Sequence, residues 1–145
     1  MDLFNAIGKK WIVLLDRYSG YAWTQQLKRT NTVTVTGQLS SWFTEYGWPS
    51  YIRSDGGPQF RAKFSTFCQN NSIKHELSSP YNPESKGLAE AAVKNIETLI
   101  TRCSKQGENL QLVIAAWRNM ACTDGISPSQ LFFGRTQQQQ LPLTA

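Results

Sequence analysis

Three carboxylates stand where a rigid element meets a loop: Asp2 at the first strand, Asp55 at the end of a later strand, and Glu90 on a long helix. Carboxylates on separate elements can converge, and a converged trio is a site for divalent cations. Phosphoryl transfer on DNA uses two such ions about 3.5 to 4 Å apart, one activating the attacking oxygen and one stabilising the leaving oxygen. Mg²⁺ takes hard oxygen ligands and keeps several waters, so three carboxylates plus a substrate phosphate suffice. Spacing alone leaves the assignment open, because any ten acidic residues yield some triplet. Asp2 also reads as a solvated terminus, and Asp55 in Ser-Asp-Gly-Gly as a turn initiator. Glu90 lies four residues from both Lys86 and Lys94, the spacing of a surface ion pair on a helix. Its helical angle borders the apolar stripe, which also suits a ligand pointing into a cleft.

The elements that must hold these residues follow from periodicity. Trp11 to Leu15 is a short apolar, β-branched run closed by Asp16-Arg17-Tyr18-Ser19-Gly20, a buried strand and its turn, with Tyr21 to Gln26 as hairpin partner. Thr32 to Thr36 alternates like a strand, yet Val35, Leu39, Trp42, Phe43 and Tyr46 recur at helical spacing before Gly47, and the helix is the reading we adopt. Tyr51 to Ser54 is a short strand ending at Asp55-Gly56-Gly57-Pro58, and Phe60, Phe64, Phe67 and Cys68 mark a helix before a strand at Ile73 to Leu77. A loop is expected over Ser78 to Gly87. The positions Ala89, Ala92, Val93, Ile96, Leu99, Ile100 and Cys103 then give a long amphipathic helix, and Leu110 to Trp117 another. Ser127-Pro128 opens a last short helix that Gly134 ends. Strands come first and helices accumulate later, which predicts an α/β or α+β sheet with covering helices.

Composition narrows the partners. The 145 residues have the length of one domain, and 40% hydrophobic with 12% aromatic content excludes a wholly disordered chain. The longest apolar run, Leu112 to Trp117, is far short of the ~20 residues that cross a bilayer, so no membrane partner is expected. No secretory signal is visible at the start, and Cys68, Cys103 and Cys122 read as reduced thiols without zinc spacing. A net charge of +5 and a pI near 9.3 favour a polyanionic partner mildly. Lys86, Glu90 and Lys94 share one helical stripe, so the lysines read as phosphate contacts or as a solvated face. His75, lone and on a strand, reads as packing. Trp42, Trp117, Phe132 and Phe133 read as core or interface aromatics.

The motifs in order resemble a known family. Asp2-Leu3-Phe4, Val13 to Gly20, Arg53-Ser54-Asp55-Gly56-Gly57-Pro58-Gln59-Phe60, Ser78 to Glu90 and Ser127 to Arg135 are similar to the catalytic core of retroviral and retrotransposon integrases, most closely of gypsy-type elements. The similarity covers nearly the whole chain, with 53 positions from Asp2 to Asp55 and 35 from Asp55 to Glu90. It implies a ribonuclease-H-like fold with a five-stranded mixed sheet flanked by helices, a core domain over 1–135 and a polar tail over 136–145. It implies that Asp2, Asp55 and Glu90 are both the catalytic residues and the ligands of two Mg²⁺ or Mn²⁺ ions. The implied chemistry is in-line displacement at phosphorus by water or by a DNA 3′-hydroxyl, that is, 3′-end processing and strand transfer. Tyr81, Asn82, Ser85, Lys86 and Lys94 are the implied contacts to double-stranded DNA. A homodimer through the core, in the nucleus with a cytoplasmic stage before entry, completes the expectation. The chain departs from the pattern at Gly56, where Asn is usual, at Lys86 and Glu97, and in leaving 34 residues rather than 35 between the second Asp and the Glu. Only Met1 precedes Asp2, so the first strand is expected to be truncated. A domesticated or decayed relic that binds DNA or protein without catalysis is the competing reading.

Overall fold

The computed structural model describes residues 1–16, 18–54, 57, 60–77, 83–120 and 126–133, with 83–89 described as backbone. Strands β1 (Asp2–Ala6), β2 (Lys9–Leu15) and β3 (Ala22–Leu27) form an antiparallel ladder in that order. Asp2 stands opposite Val13, and Lys10 opposite Leu27. After helix α1 (Thr32–Tyr46), strands β4 (Tyr51–Ser54) and β5 (Lys74–Leu77) pair in parallel around the helix α2 (Ala62–Asn70) that connects them. Helices α3 (Pro83–Gln106), α4 (Leu110–Arg118) and α5 (Pro128–Phe133) follow. The described residues thus hold five strands of mixed direction, in ladders of three and two. The Met1 ammonium donates to the Arg53 carbonyl at 3.0 Å, tying the start of β1 to the end of β4.

Strand β2 feeds two cores, because successive side chains of a strand point to opposite faces. Ile12 and Leu14 join Val35, Leu39 and Phe43 of α1, Ile52 of β4 and Phe64 and Cys68 of α2. Trp11, Val13 and Leu15 join Phe4 and Ala6 of β1, Val93, Ile96 and Ile100 of α3, and Trp117 of α4. A strand covered on both sides reads as a continuous apolar run, which is the sequence of this one.

Helix α1 wins over the strand alternative at Thr32–Thr36 for two reasons. Asn31 caps it, its side chain accepting from the Thr34 N–H at 2.9 Å, and Val35, Leu39 and Phe43 form one buried face. The Gly47 N–H closes the other end on the Phe43 carbonyl at φ 113°. Asn109 caps α4 in the same manner, accepting from the Gln111 and Leu112 N–H groups. At α5 the Gln130 N–H donates to Ser127 Oγ and the Ser127 N–H to Gln130 Oε1, a reciprocal capping box.

One expectation needs correction. The stretch 78–87 is not loop throughout, since α3 begins at Pro83. Proline suits a first helical turn, whose N–H groups lack intrahelical partners. Residues 78–82 and Gly134 lie outside the described residues.

The β1–β2 hairpin closes through Ile7-Gly8, with Ala6 opposite Lys9 and φ angles of 49° and 71°. Glycine takes this left-handed conformation freely, but a β-branched side chain does so at a cost of about 1 to 2 kcal/mol. Asparagine is preferred at the first position of such a turn. Ile7→Asn is therefore expected to stabilise the chain by about 1 kcal/mol, and Asn31→Ala to destabilise it by about 1 kcal/mol. Urea unfolding of both variants beside the parent checks the two signs together.

Candidate active site

Asp2 is half-buried at the start of β1. Phe4 and Ala6 pack in the core on the α3 side, while Leu3 packs in the other. Alternation along the strand therefore assigns Asp2 to the face that α3 covers. Glu90 is exposed on α3, three residues before Val93, which packs into that same core. The third carboxylate, Asp55, lies outside the described residues, as do Tyr81 and Asn82. Ser85 and Lys86 fall on the first turn of α3, where only the backbone is described, and Lys94 is exposed one turn after Glu90. Among the described residues no three His, Cys, Asp or Glu side chains converge on a metal-sized space.

The approach to Asp55 is described. Ser54, the last residue of β4, is 1% exposed, and its Oγ lies 2.6 Å from His75 Nε2. His75 belongs to β5, opposite Ile52, and its ring meets Phe64 edge-on with centroids 4.8 Å apart. The imidazole is thus held by packing and one hydrogen bond, as its lone position in the sequence suggests. Beside it, Arg53 and Glu76 are register partners with an ion pair at 3.3 Å, and the Tyr51 hydroxyl also donates to Glu76. These contacts hold Glu76's carboxyl below its ordinary range, the Tyr51 hydrogen bond foremost.

The donor set fits a hard cation better than a soft one. Burial pushes the Cys68 thiol up to about 11 and raises Cys103, so neither offers a thiolate. Nε2 of His75 is engaged by Ser54, and the candidate residues Asp2 and Glu90 offer carboxylate oxygens, the ligands Mg²⁺ prefers. Asp16 is not among the candidates: its carboxylate accepts from Ser19 Oγ at 2.6 Å and builds the β2–β3 turn.

Similarity to known proteins settles the family. The family model of the integrase core domain matches residues 1–83. The chain belongs to the integrase core domain family. An uncharacterized protein of Caenorhabditis elegans, K02A2.6, is 30% identical over 131 residues, 86% of this chain and 10% of that protein. The catalytic core domain of BIV integrase superposes with a TM-score of 0.81 at 21% identity, covering 92% of this chain and 91% of that one. The catalytic core domain of HTLV-2 integrase, a magnesium complex in a trimeric form, superposes at 0.69 with 20% identity and 90% coverage of each chain. The integrase core thus has the expected ribonuclease-H-like fold. It spans between 5% and 12% of the length of curated relatives such as K02A2.6.

Several features of this integrase core escaped the sequence. Arg118 is 9% exposed, donates from Nε to the Ala22 carbonyl at 2.9 Å, and lies over the Tyr21 ring at 4.4 Å. Tyr21 in turn stacks on Phe132 at 4.9 Å and meets Phe133 edge-on at 5.4 Å. Trp42 and Trp117 each pack against one of the two cores. Phe132 is thus packed within the chain, whereas Phe133, in contact with Tyr21, stays 37% exposed. The Ser54–His75 contact also went unseen, since 21 positions separate the partners and no motif joins them.

Burial lowers the His75 pKa, because the imidazolium is less well solvated than in the unfolded chain. The unfolded chain then takes the proton first as pH falls below about 6.5. The stability tied to neutral His75 is full above that value and declines as pH falls toward the folded pKa. The melting temperature of the parent should drop more between about pH 7 and 5 than that of His75→Gln, and equal drops would refute this account.

Proposed function

We propose that this integrase core catalyses metal-dependent DNA 3′-end processing and strand transfer, with Asp2, Asp55 and Glu90 as the metal-ligating residues. The observation that carries the reading is the common side of Asp2 and α3, the helix of Glu90, together with β4 delivering the chain to Asp55. Two divalent ions, when bound, would supply activation of the attacking oxygen and stabilisation of the leaving one. The protein's own part is to orient. The two-sided packing of β2 fixes β1, and with it Asp2, while the Ser54–His75 contact fixes the end of β4 before Asp55. Glu90 rides on a helix anchored by Val93, Ile96 and Ile100. Lys86 and Lys94, one turn to either side of Glu90, would neutralise phosphate oxygens beside the carboxylates, and Tyr81, Asn82 and Ser85 would contact the DNA end.

The proposal extends to a homodimer of cores burying more than about 1,000 Å², acting on element ends and target DNA in the nucleus after a cytoplasmic stage. Among the described residues no helix is long and apolar enough to cross a membrane.

Glu90→Gln keeps the side chain's size and removes its charge. Nicking of a preassembled branched duplex in Mg²⁺ or Mn²⁺ should fall by on the order of 100-fold, with an unchanged melting temperature. Cleavage at the parent's rate would overturn the enzyme reading in favour of a non-catalytic binding module. Light scattering should show a dimer at high micromolar concentration.

A further inference from the structure

The far end of the antiparallel ladder carries a concentration of positive charge that the proposed active site does not use. Lys9 and Lys10 open β2, and Lys28 and Arg29 leave β3, all four exposed. Lys10 stands directly opposite Leu27, so the two pairs of cations occupy adjoining strands at the same end of the sheet. Adjacent strands lie about 4.8 Å apart, and like charges in facing positions repel. No acidic residue occurs in 3–15 or in 18–44, and the first turn of α1, which follows at once, contains none. Next to Lys9 and Lys10, on the side of β2 away from Lys28 and Arg29, projects the hairpin tip, where Ile7 is 42% exposed in its left-handed conformation. An exposed, strained, β-branched side chain beside cations that no carboxylate among the described residues pairs with is poorly accounted for by folding alone.

We propose that this end of the sheet is a second DNA-contact surface, with Lys9, Lys10, Lys28 and Arg29 on backbone phosphates and Ile7, at the hairpin tip beside them, against a groove. Alternation sends Lys9 and Lys10 to opposite faces of the sheet, so these two cations flank the hairpin end on either face. That arrangement suits two phosphate strands flanking a groove, and apolar side chains flanked by Lys and Arg are used against DNA grooves elsewhere. Ala6 lies four residue steps along β1 from Asp2, about 14 Å of strand. A duplex engaged at the carboxylates and lying along the sheet would reach the tip within about half a helical turn. The inference rests on the DNA reading above and adds to it a place where flanking duplex is held.

The test is binding of a labelled duplex of about three helical turns, by fluorescence anisotropy, between about 50 and 200 mM salt. Each neutralised phosphate contact contributes about 0.9 to the slope of log affinity against log salt. The variant Lys9→Gln/Lys10→Gln/Lys28→Gln/Arg29→Gln should lose about three from that slope and bind at least about tenfold more weakly at the lower salt. A control, Lys63→Gln/Lys74→Gln/Arg102→Gln/Lys105→Gln, removes the same four charges from the net +5 at other exposed positions and should change far less. Equal losses in the two variants, or none in the first, would overturn the surface while leaving the DNA reading intact. Absence of duplex binding by the parent would overturn both. Should the fourfold variant not fold, the pairs Lys9→Gln/Lys10→Gln and Lys28→Gln/Arg29→Gln should each lose about half the slope. Ile7→Asn should melt higher and yet bind the duplex several-fold more weakly, and unchanged binding would remove Ile7 from the surface.

Discussion

The structure depends on one strand being apolar on both faces. β2 gives Ile12 and Leu14 to one core and Trp11, Val13 and Leu15 to the other, so helices must cover both sides of the sheet. A slip of one residue in its pairing would exchange the two sets and expose the wrong side chains throughout, which makes the register with β1 costly to alter. Through that register the requirement reaches Asp2, whose position opposite Val13 assigns it to the α3 side. The side to which Asp2 points is therefore inherited from packing, decided by the burial of Phe4 and Ala6 on the same face of β1.

The later helices are secured differently. Arg118 is a charge in a mostly apolar setting, and a buried charge is costly unless paired or hydrogen-bonded. Here the Ala22 carbonyl and the face of Tyr21 supply the compensation, and Phe132 and Phe133 close over the same ring. The end of α4 and the start of β3 are thereby joined across 96 positions, a closure made by directional contacts where the rest of the fold uses apolar area.

Much of this was legible in the residues and some was not. The apolar run of β2, the buried stripe of α1 and the long period of α3 announced their elements, because each is a local pattern of one period. The beginnings of helices were harder: Asn31 decided α1 against five residues of strand-like alternation, and Pro83 opened α3 inside a stretch whose Ser, Asn and Gly content suggests a loop. Pairings between distant residues could not be read, since Arg118 with Tyr21 and Ser54 with His75 leave no periodic trace. For the site, the order of motifs carried the family, which the family model supports over residues 1–83. The side of the sheet on which Asp2 and α3 meet required the fold, and Asp55 lies outside the described residues.

The two buried thiols have a use of their own. Cys68 belongs to the core beneath α1 and α2, whereas Cys103 lies on α3, further along the helix than the residues that pack on the opposite face of the sheet. Their protonation and burial make both slow toward alkylating reagents while the chain is folded. Each can react only when its own layer opens, so the rates of labelling at the two positions report separately on the loosening of the two halves. Equal rates would mean that the sheet lets go of both layers at once; unequal rates would identify the layer that breathes first.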